Sequence, residues 1–246
     1  MDISKFLYIL NYSCLYFPSL EVLSENDPFE GVFTYKNVEI SDIKFEDLPR
    51  SVRESIGVNK EEDWDNIKFG HRKLMDTVKY QRKRTFVNSW HAKPYESMAM
   101  WKQYLQSNEG IAIQSSFSSL VYSLEECQDV PVYIGMVGYV DYEKATIPVG
   151  NMMTPYFYKR KSFEHESELR ALVWDPAVEE KGESRVKGYE KGRGICLPVN
   201  VDELIECVYV SPASPAWVLS LVQSLVDKLG YEKPVVQSTL GLEPPH

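Results

Sequence analysis

The sequence of 246 residues lacks the features expected of a secreted, membrane-spanning or zinc-binding protein. Its four cysteines are widely separated and include no Cys-x-x-Cys pair, so neither a zinc knuckle nor a disulfide framework is indicated. No apolar run approaches the ~20 residues of a membrane-spanning helix. The apolar patch at residues 6–10 is too short for the core of a signal peptide. We therefore expect a cytoplasmic protein that has no contact with membranes.

The common motifs of nucleotide and hydrolase chemistry are also missing. The chain contains no Gly-x-x-x-x-Gly-Lys-Ser/Thr phosphate loop, no Gly-x-Gly-x-x-Gly, no His-Glu-x-x-His and no Gly-x-Ser-x-Gly. These absences argue against the common nucleotide hydrolases, Rossmann dehydrogenases, zinc proteases and serine hydrolases.

What is present is the composition of a globular protein with an excess of acid. Hydrophobic residues make up 43% and charged residues 26%, which is enough for a sizeable core. The formal net charge of −9 does not favour nonspecific attraction to nucleic acid. One segment departs from this balance, because residues 68–84 carry seven basic residues and a single acid, Asp76. Such a run is usually a solvated helix face, and the alternative is that the Lys68–Arg84 helix contacts a nucleotide or nucleic acid.

The hydrophobic periodicity predicts a mixture of helices and strands. A helix over residues 61–84 is indicated by an apolar stripe from Trp64 to Val78 and by acids in its first turns. A second helix is predicted after Ser214 as N-cap and Pro215, with an apolar stripe of Trp217, Val218, Leu221, Val222, Leu225 and Leu229. Strands are predicted at residues 14–17, 85–90, 110–115, 132–142 and 235–239.

These elements follow one another without regular β-α-β spacing. We therefore predict a single α+β domain over residues 1–246, with a mixed, mostly antiparallel sheet flanked by helices. Residues 175–194 are rich in Gly, Glu and Lys, and we expect them to form an exposed hairpin or insert.

The most informative segment is the charged stretch within residues 156–174. If residues 163–173 form a strand, Glu164, Glu166, Glu168 and Arg170 share one face, because alternate side chains of a strand point the same way. On a wet surface this crowding is tolerable. In a cleft it would raise a carboxyl pKa or recruit Arg160, Lys161, Arg170 or a metal ion as the counter-charge. Both interpretations stay open, and the cleft is favoured by the upstream residues Tyr156, Tyr158, Lys159, Arg160 and Lys161.

A second group of polar residues lies in the predicted strand 85–90. Ser89 and His91 share one face of this strand, since successive side chains alternate. A structural role for His91 outweighs a role as a catalytic base, because a lone histidine is weak evidence for a base.

Three blocks of the sequence resemble, in order, a widespread bacterial family of unknown function. The first is Leu15–Phe17 followed by Asn26–Gly31. The second is Ser89–His91 with Glu96, Ser97 and Met100-Trp-x-x-Tyr104, and the third is Lys161 followed by Glu166-x-Glu-x-Arg170. The family is found in mobile-element and defence settings, so the resemblance implies a toxin or phage-defence effector.

The block order is also similar to that of ADP-ribosyltransferases, in which a Ser-containing strand precedes a Glu-x-Glu strand. This similarity implies NAD as the substrate, Glu168 as the catalytic carboxylate and Glu166 as the group that orients the acceptor. It further implies that Ser89 supports the ribose and that Tyr158 or Trp90 stacks on the nicotinamide. The remaining candidate substrate-binding residues are Asp27, His91, Lys161 and Arg170.

Two other functions remain open from the residues alone. In a magnesium-dependent nuclease, Asp27, Glu166 and Glu168 would hold Mg²⁺, Lys161 would steady the attacking water, and the basic helix would hold phosphate. In a non-catalytic interaction module, Arg170 would instead form an internal salt bridge with Glu166 or Asp27.

Overall fold

The computed structural model describes residues 1–105, 108–125, 127, 129–180, 185–186, 188–190 and 193–241. The α-helices are α1 (Ile3–Tyr12), α2 (Leu20–Leu23), α3 (Tyr35–Glu39), α4 (Arg50–Ser55), α5 (Glu61–Gln81), α6 (Met98–Tyr104), α7 (Phe117–Ser123), α8 (Ala177–Glu180), α9 (Val201–Leu204) and α10 (Ala216–Lys228). The strands are β1 (Cys14–Pro18), β2 (Thr85–His91), β3 (Ile111–Gln114), β4 (Val132–Met136), β5 (Gly138–Val140), β6 (Tyr158–Arg160), β7 (Glu168–Trp174), β8 (Gly194–Pro198), β9 (Cys207–Val210) and β10 (Val235–Gln237). Helices flank short, mostly antiparallel sheets, which confirms the predicted α+β class.

The sheet that positions the candidate site consists of β2, β7 and β4, with β7 in the middle and both pairings antiparallel. Its register places Ser89 of β2 opposite Arg170, and His91 opposite Glu168. On the other side of β7, Gly135 of β4 lies opposite Arg170. Glu168 and Arg170 therefore share the sheet face of Ser89 and His91.

Two hydrophobic cores lie on opposite faces of this sheet. Phe86, Ala171 and Val173 belong to the larger core, which also contains residues of α1, β8, β9 and α10. Val87 and Leu172 alternate with them and belong to the second core, beneath α5. The charged residues of the candidate site lie on the second face, and they continue the row that begins with Val87 and Leu172.

The remaining strands form three small sheets. β1 pairs antiparallel with β8, β9 lies between antiparallel β3 and parallel β10, and β5 pairs parallel with β6. A single bridge between Ser19 and Phe86 connects the β1 region to β2. None of the described helices combines the length and hydrophobicity needed to cross a bilayer.

Helix α5 follows its sequence prediction closely. It begins at Glu61 and ends at Gln81, after which a 3-10 turn (Arg82–Arg84) leads into β2. Three acids in its first turn and Lys79 in its last turn match the helix dipole.

Helix α10 corrects the predicted stripe. The helix begins at Ala216, and the hydroxyl of Ser214 donates to the carbonyl of Asn108 and does not cap the helix. Its buried side chains are Val218, Val222 and Val226, whereas Trp217 is 55% exposed. The packed face of α10 is narrower than its apolar face, and partly buried Leu219 is a further side chain of this helix that packs against the larger core.

The strand predicted at residues 163–173 begins only at Glu168. Residues Lys161–Glu166 form a 3-10 turn, and Ser167 follows it in the left-handed region with φ 42°. This turn breaks the predicted alternation, so Glu164 is exposed and does not share the face of Glu168. The predicted strand 132–142 is likewise divided into β4 and β5 at Val137.

The segment 175–194 is described only in part, since residues 181–184, 187 and 191–192 lie outside the described residues. Its described residues include buried Asp175 and Val186, and α8 begins two residues after Asp175, at Ala177. Glu190 bridges to Gly194 at its end.

Candidate functional site

Three glutamates and two cations from separate parts of the chain meet on the second face of the central sheet. We call this group the charge cluster: Glu30, Lys159, Glu166, Glu168 and Arg170. Each of its glutamates is at most 5% exposed, and Arg170 is fully buried. Burying charges is costly unless they are paired and hydrogen-bonded, so the partners of each group decide what the cluster can do.

Lys159 lies at the centre of the three carboxylates. Its Nζ is 2.6 Å from Glu166 Oε2, 3.0 Å from Glu168 Oε2 and 3.7 Å from Glu30 Oε2. The short strand β6 delivers this side chain, and the ring of Phe163 lies 5.2 Å from the ammonium group. One ammonium group therefore neutralises charge from the 25–31 loop, the 3-10 turn and β7.

Arg170 holds the inner side of the cluster. Its Nε donates to Glu168 Oε1 at 2.6 Å, and its Nη1 donates to Glu30 Oε1 at 2.8 Å. Nη1 also donates to the carbonyl of Tyr156, while Nη2 is buried without a partner among the described residues. Arg170 thus ties β7 to the loop that carries Glu30.

Glu168 and Lys159 are held in their charged forms at neutral pH. Burial opposes ionisation of Glu168, but Arg170, Lys159 and the Ser89 hydroxyl outweigh it and lower the pKa of Glu168 to about 2. Burial also acts against Lys159, yet the carboxylates of Glu168 and Glu30 raise its pKa above the ordinary value. The site therefore holds fixed charges in surroundings that screen them weakly.

Exposed polar residues reach the buried carboxylates from the surface. The hydroxyl of Ser89, an exposed residue of β2, donates to Glu168 Oε1. On α6, exposed Gln103 donates from Nε2 to Glu166 Oε1 at 2.8 Å. Partial burial raises the pKa of Tyr104 to about 12, and nearby Glu166 adds to this rise. These groups form a polar rim above the cluster.

Local backbone structure explains how α6 presents this rim. The side chain of Ser97 accepts the amide of Met100 at 3.4 Å and caps the helix. Trp101 is buried beneath the helix, and its indole donates to Glu96 Oε2 at 3.0 Å. Gln103 and Tyr104 consequently remain exposed.

A second ion pair lies beside the cluster. Arg160 Nη2 is 2.7 Å from Asp27 Oδ1, and the guanidinium group lies between the rings of Phe29 and Phe163, at 4.7 and 5.4 Å from their centroids. Asp27 also accepts the amide of Phe29 at 3.1 Å. This pair fixes the 25–31 loop, and hence Glu30, against β6.

A groove of about 240 Å³ lies beside β4 of the central sheet. Phe157 packs against Gly135, which lies opposite Arg170 in the sheet, and a Cβ atom at Gly135 would be only 3.2 Å from the Phe157 ring. The groove is lined by Tyr133, Asn151, Met153, Thr154, Phe157 and Tyr158. Aromatic walls with a few polar groups are typical of sites for planar ligands.

The structure brings together part of the predicted site. Glu166, Glu168 and Arg170 are in the charge cluster, and Ser89 bonds directly to Glu168. His91 is next to them, with Nδ1 2.6 Å from the carbonyl oxygen of Glu166.

Other predicted residues lie apart from the cluster. Trp90 packs against the larger core, on the opposite face of the sheet from Glu168. Lys161 is exposed at the start of the 3-10 turn, and Tyr158 lines the groove. Asp27 pairs with Arg160 and not with Arg170.

The basic segment 68–84 does not form one uniform surface. Arg82 donates from Nη1 to the carbonyl of Glu30 at 3.0 Å, and Arg84 is buried. Arg72 contacts Asp42 and the carbonyl of Ser41. Much of the positive charge therefore holds loops against α5, and a nucleic-acid contact stays a prediction.

Sequence reasoning did not assign Lys159, Glu30 or Gln103 to the site. Lys159 follows Tyr158 in the same basic stretch as Lys161, so composition could not single it out. Glu30 is one of two acids in the Asn26–Gly31 block of the family resemblance, and the other, Asp27, was the one predicted for the site. Gln103 had no recognisable signal.

Comparisons with known proteins add no assignment to this geometry. No family model matches the chain, and searches among curated proteins and solved structures found no match either. The family resemblance and the order of motifs therefore stay predictions.

Proposed function

We propose that the chain is an enzyme of the ADP-ribosyl transfer type, which cleaves the N-glycosidic bond between nicotinamide and ribose in NAD⁺. The supporting observation is the convergence of exposed Ser89 with the buried, ionised carboxylate of Glu168 and with Glu166. The order of a Ser-containing strand and a late Glu-x-Glu segment supports the same class.

The chemistry suits a carboxylate that is held ionised. When the N-glycosidic bond breaks, nicotinamide leaves with the electron pair and positive charge develops on the ribose ring. A fixed negative charge in weakly screened surroundings stabilises that transition state. Glu168 would supply this charge, and the Ser89 hydroxyl would bind the ribose at the surface.

Glu166 would meet the acceptor, since Glu168 faces the ribose in this proposal. One oxygen of Glu166 accepts a hydrogen bond from exposed Gln103 of α6, so Glu166 is connected to the surface at a different residue from Glu168. It would accept a hydrogen bond from the attacking hydroxyl or water. A new bond then joins ribose C1′ to the acceptor oxygen, and the proton of the acceptor passes to solvent.

The groove supplies a place for a planar ring of the substrate. Tyr158 and Phe157 line it, and aromatic side chains stack favourably on heterocycles. Its volume of about 240 Å³ is below the ~300–1,000 Å³ of drug-sized pockets, so a single ring system is the expected occupant.

The direct test is release of nicotinamide from NAD⁺ by the purified chain, followed by chromatography with and without protein or nucleic-acid acceptors. We expect Glu168→Gln to lower the rate by ~10²-fold or more, the size of effect seen when a transition-state charge partner is removed. Glu164→Gln is the matched control, because Glu164 is an exposed carboxylate in the adjoining turn, and it should keep the full rate.

Loss of folding must be separated from loss of chemistry. Ser89→Ala alters an exposed residue and should fold normally while its rate falls, so a normal thermal melt with reduced turnover supports the proposal. The proposal fails if the folded wild-type chain releases no nicotinamide with any acceptor class. It also fails if folded Glu168→Gln turns over at the wild-type rate.

A non-catalytic interaction module is the second candidate. Each oxygen of the Glu30, Glu166 and Glu168 carboxylates already has a polar or charged partner. Carboxylates whose oxygens all have partners can hold β6, β7 and the 25–31 loop together without taking part in any reaction. In that case Glu168→Gln would lower stability, and no NAD⁺-dependent activity would be found.

The magnesium-dependent nuclease has less support. The ammonium group of Lys159 lies where a divalent cation would have to meet Glu166 and Glu168, and Asp27 is paired with Arg160. Among the described residues, no group of three or more His, Cys, Asp and Glu side chains is arranged to hold a metal ion. Cleavage of nucleic acid that needs Mg²⁺ and no NAD⁺ would reverse this ranking. A role in phage defence rests on the family resemblance alone.

A further inference from the structure

Two of the four cysteines lie together on the β1–β8 ladder, which adjoins β2 at the edge of the central sheet. β1 and β8 pair antiparallel, with Cys14 opposite Pro198 and Tyr16 opposite Cys196. Cys14 and Cys196 are therefore diagonal neighbours on one face of this two-stranded ladder. All four cysteines are free thiols in this structure.

The two thiols share a hydrogen-bonded contact with the hydroxyl of Tyr8. The oxygen of Tyr8 is 3.3 Å from Cys196 Sγ, and Cys14 interacts with both groups. Tyr8 belongs to α1 and is 44% exposed, whereas Cys14 and Cys196 are 7% and 8% exposed. The sulfur atoms thus lie just beneath one exposed side chain.

The opposite side of Cys196 is covered by backbone. Gly188 has φ +81°, and a Cβ atom there would be 3.2 Å from the Cβ atom of Cys196. Only glycine allows the chain to lie this close to the cysteine in that conformation. The thiol pair is therefore bordered by Tyr8, by the two strands and by Gly188.

We propose that Cys14 and Cys196 form a peroxide-reactive dithiol that closes reversibly to a disulfide between β1 and β8. Diagonal neighbours in a sheet have Cα atoms ~7–8 Å apart, which is beyond the ~4.4–6.8 Å usual for a disulfide, so closure needs a shift of one strand towards the other. A bond formed under such strain is readily reduced, as expected of a reversible modification.

The contacts also identify the attacking sulfur. The Tyr8 hydroxyl lies 3.3 Å from Cys196 Sγ, and hydrogen bonds from the Cys14 thiol and from this hydroxyl lower the pKa of Cys196 below its ordinary value despite burial. The Cys196 thiolate attacks one peroxide oxygen, so that an S–O bond forms, the O–O bond breaks and a sulfenic acid and the first water result. Cys14 then attacks that sulfur, so that the S–S bond forms, the S–O bond breaks and the second water leaves. Two electrons and both thiol protons pass to one peroxide molecule, which balances the reaction.

Cys127 and Cys207 provide the internal control. The thiol of Cys207 is 3.5 Å from the carbonyl oxygen of Pro234, and within the described part of the chain neither of these cysteines contacts another sulfur. They should be oxidised only as single thiols, if at all.

The test is peptide mapping by mass spectrometry after the full-length chain is treated with hydrogen peroxide and its remaining thiols are blocked. We expect a cross-linked peptide pair containing Cys14 and Cys196, with the loss of two hydrogen atoms, and its disappearance after dithiothreitol. The double variant Cys127→Ser/Cys207→Ser should give the same product. In Cys14→Ser, Cys196 should stop at the sulfenic acid and be labelled by dimedone.

The proposal is overturned if the folded wild-type chain keeps Cys14 and Cys196 reduced under peroxide, or if the cross-link joins either of them to Cys127 or Cys207. The circular dichroism spectrum of each variant shows whether it is folded. The wild-type peptide map decides the pairing even if Cys14→Ser does not fold.

Discussion

At the scale of single residues, Lys159 and Lys161 show how position decides the role of a side chain. The two lysines are separated by one residue, yet Lys159 is 12% exposed among three carboxylates and Lys161 is exposed to solvent. Buried ion pairs add little net stability, but removing one partner leaves uncompensated charge. The pairing of the buried carboxylates therefore depends on Lys159 and not on Lys161.

This difference can be measured with a matched pair of variants. Lys159→Met should lower the free energy of unfolding by ~3–5 kcal/mol, because buried Glu166 loses the cation that it pairs with, while Glu30 and Glu168 keep only Arg170 as their cation. Lys161→Met should change it by no more than ~0.5 kcal/mol. Urea denaturation of both variants checks the prediction, and equal effects would contradict it.

The ionised state of Glu168 should appear in the acid stability of the protein. A carboxyl group whose folded pKa is depressed stabilises the fold above its ordinary pKa, and this contribution is lost as the pH falls through the folded value. For Glu168 the window extends from 4.5 down to about 2. In Glu168→Gln this part of the pH dependence should be absent.

The measurement is the urea midpoint of wild type and variant across that pH window. We expect the gap between them to be largest near neutral pH and to narrow as the medium becomes more acidic. Curves that stay parallel from neutral pH downward would show that Glu168 does not titrate as the structure indicates.

At the scale of elements, the junction between the 3-10 turn and β7 determines which acids face the cluster. Ser167 is left-handed, with φ 42° and ψ 56°, and its carbonyl accepts the amide of Ala92 at 2.8 Å. The turn lets Glu166 reach Lys159 and directs Glu164 to solvent. A continuous strand would have placed both on one face.

Substitutions at Ser167 test this junction. A left-handed conformation costs ~1–2 kcal/mol for an ordinary L-residue and more for a β-branched one. Ser167→Val should therefore destabilise the protein by at least that amount, whereas Ser167→Gly should be neutral or slightly stabilising. Thermal unfolding of both variants is the measurement, and a stable Val variant would refute the assigned geometry.

At the scale of the whole molecule, the sheet of β2, β7 and β4 is shared by the two cores. Phe86 and Val87 are consecutive residues, yet they belong to different cores on opposite faces. Ala171 and Leu172 divide in the same way. If the sheet unfolded on one side, the second core would lose the strands that it packs against as well.

We therefore expect the two cores to unfold in one cooperative transition. Tryptophan fluorescence and far-ultraviolet circular dichroism should give coincident urea curves. Val87→Ala, which creates a cavity in the second core only, should lower the midpoint and keep a single transition. Two separated transitions in the variant would show that the cores are independent.

The sequence alone was sufficient for features that depend on local geometry. The apolar stripe and flanking charges predicted α5, and the period of two placed Glu168 and Arg170 on one strand face. These predictions succeeded because helix and strand periodicities follow from backbone geometry within a few residues. The prediction for Glu164 was wrong, because a 3-10 turn and left-handed Ser167 precede β7, so Glu164 is not part of the strand.

Only the tertiary structure decided which groups complete the cluster. Glu30 reaches Arg170 across 140 positions of sequence, and Gln103 reaches Glu166 across 63. Trp90 was excluded by the pairing of β2 with β7, and Lys159 was chosen over Lys161 by the way β6 packs. No local period encodes such contacts, because they depend on how distant segments pack around the sheet so that buried charges are satisfied.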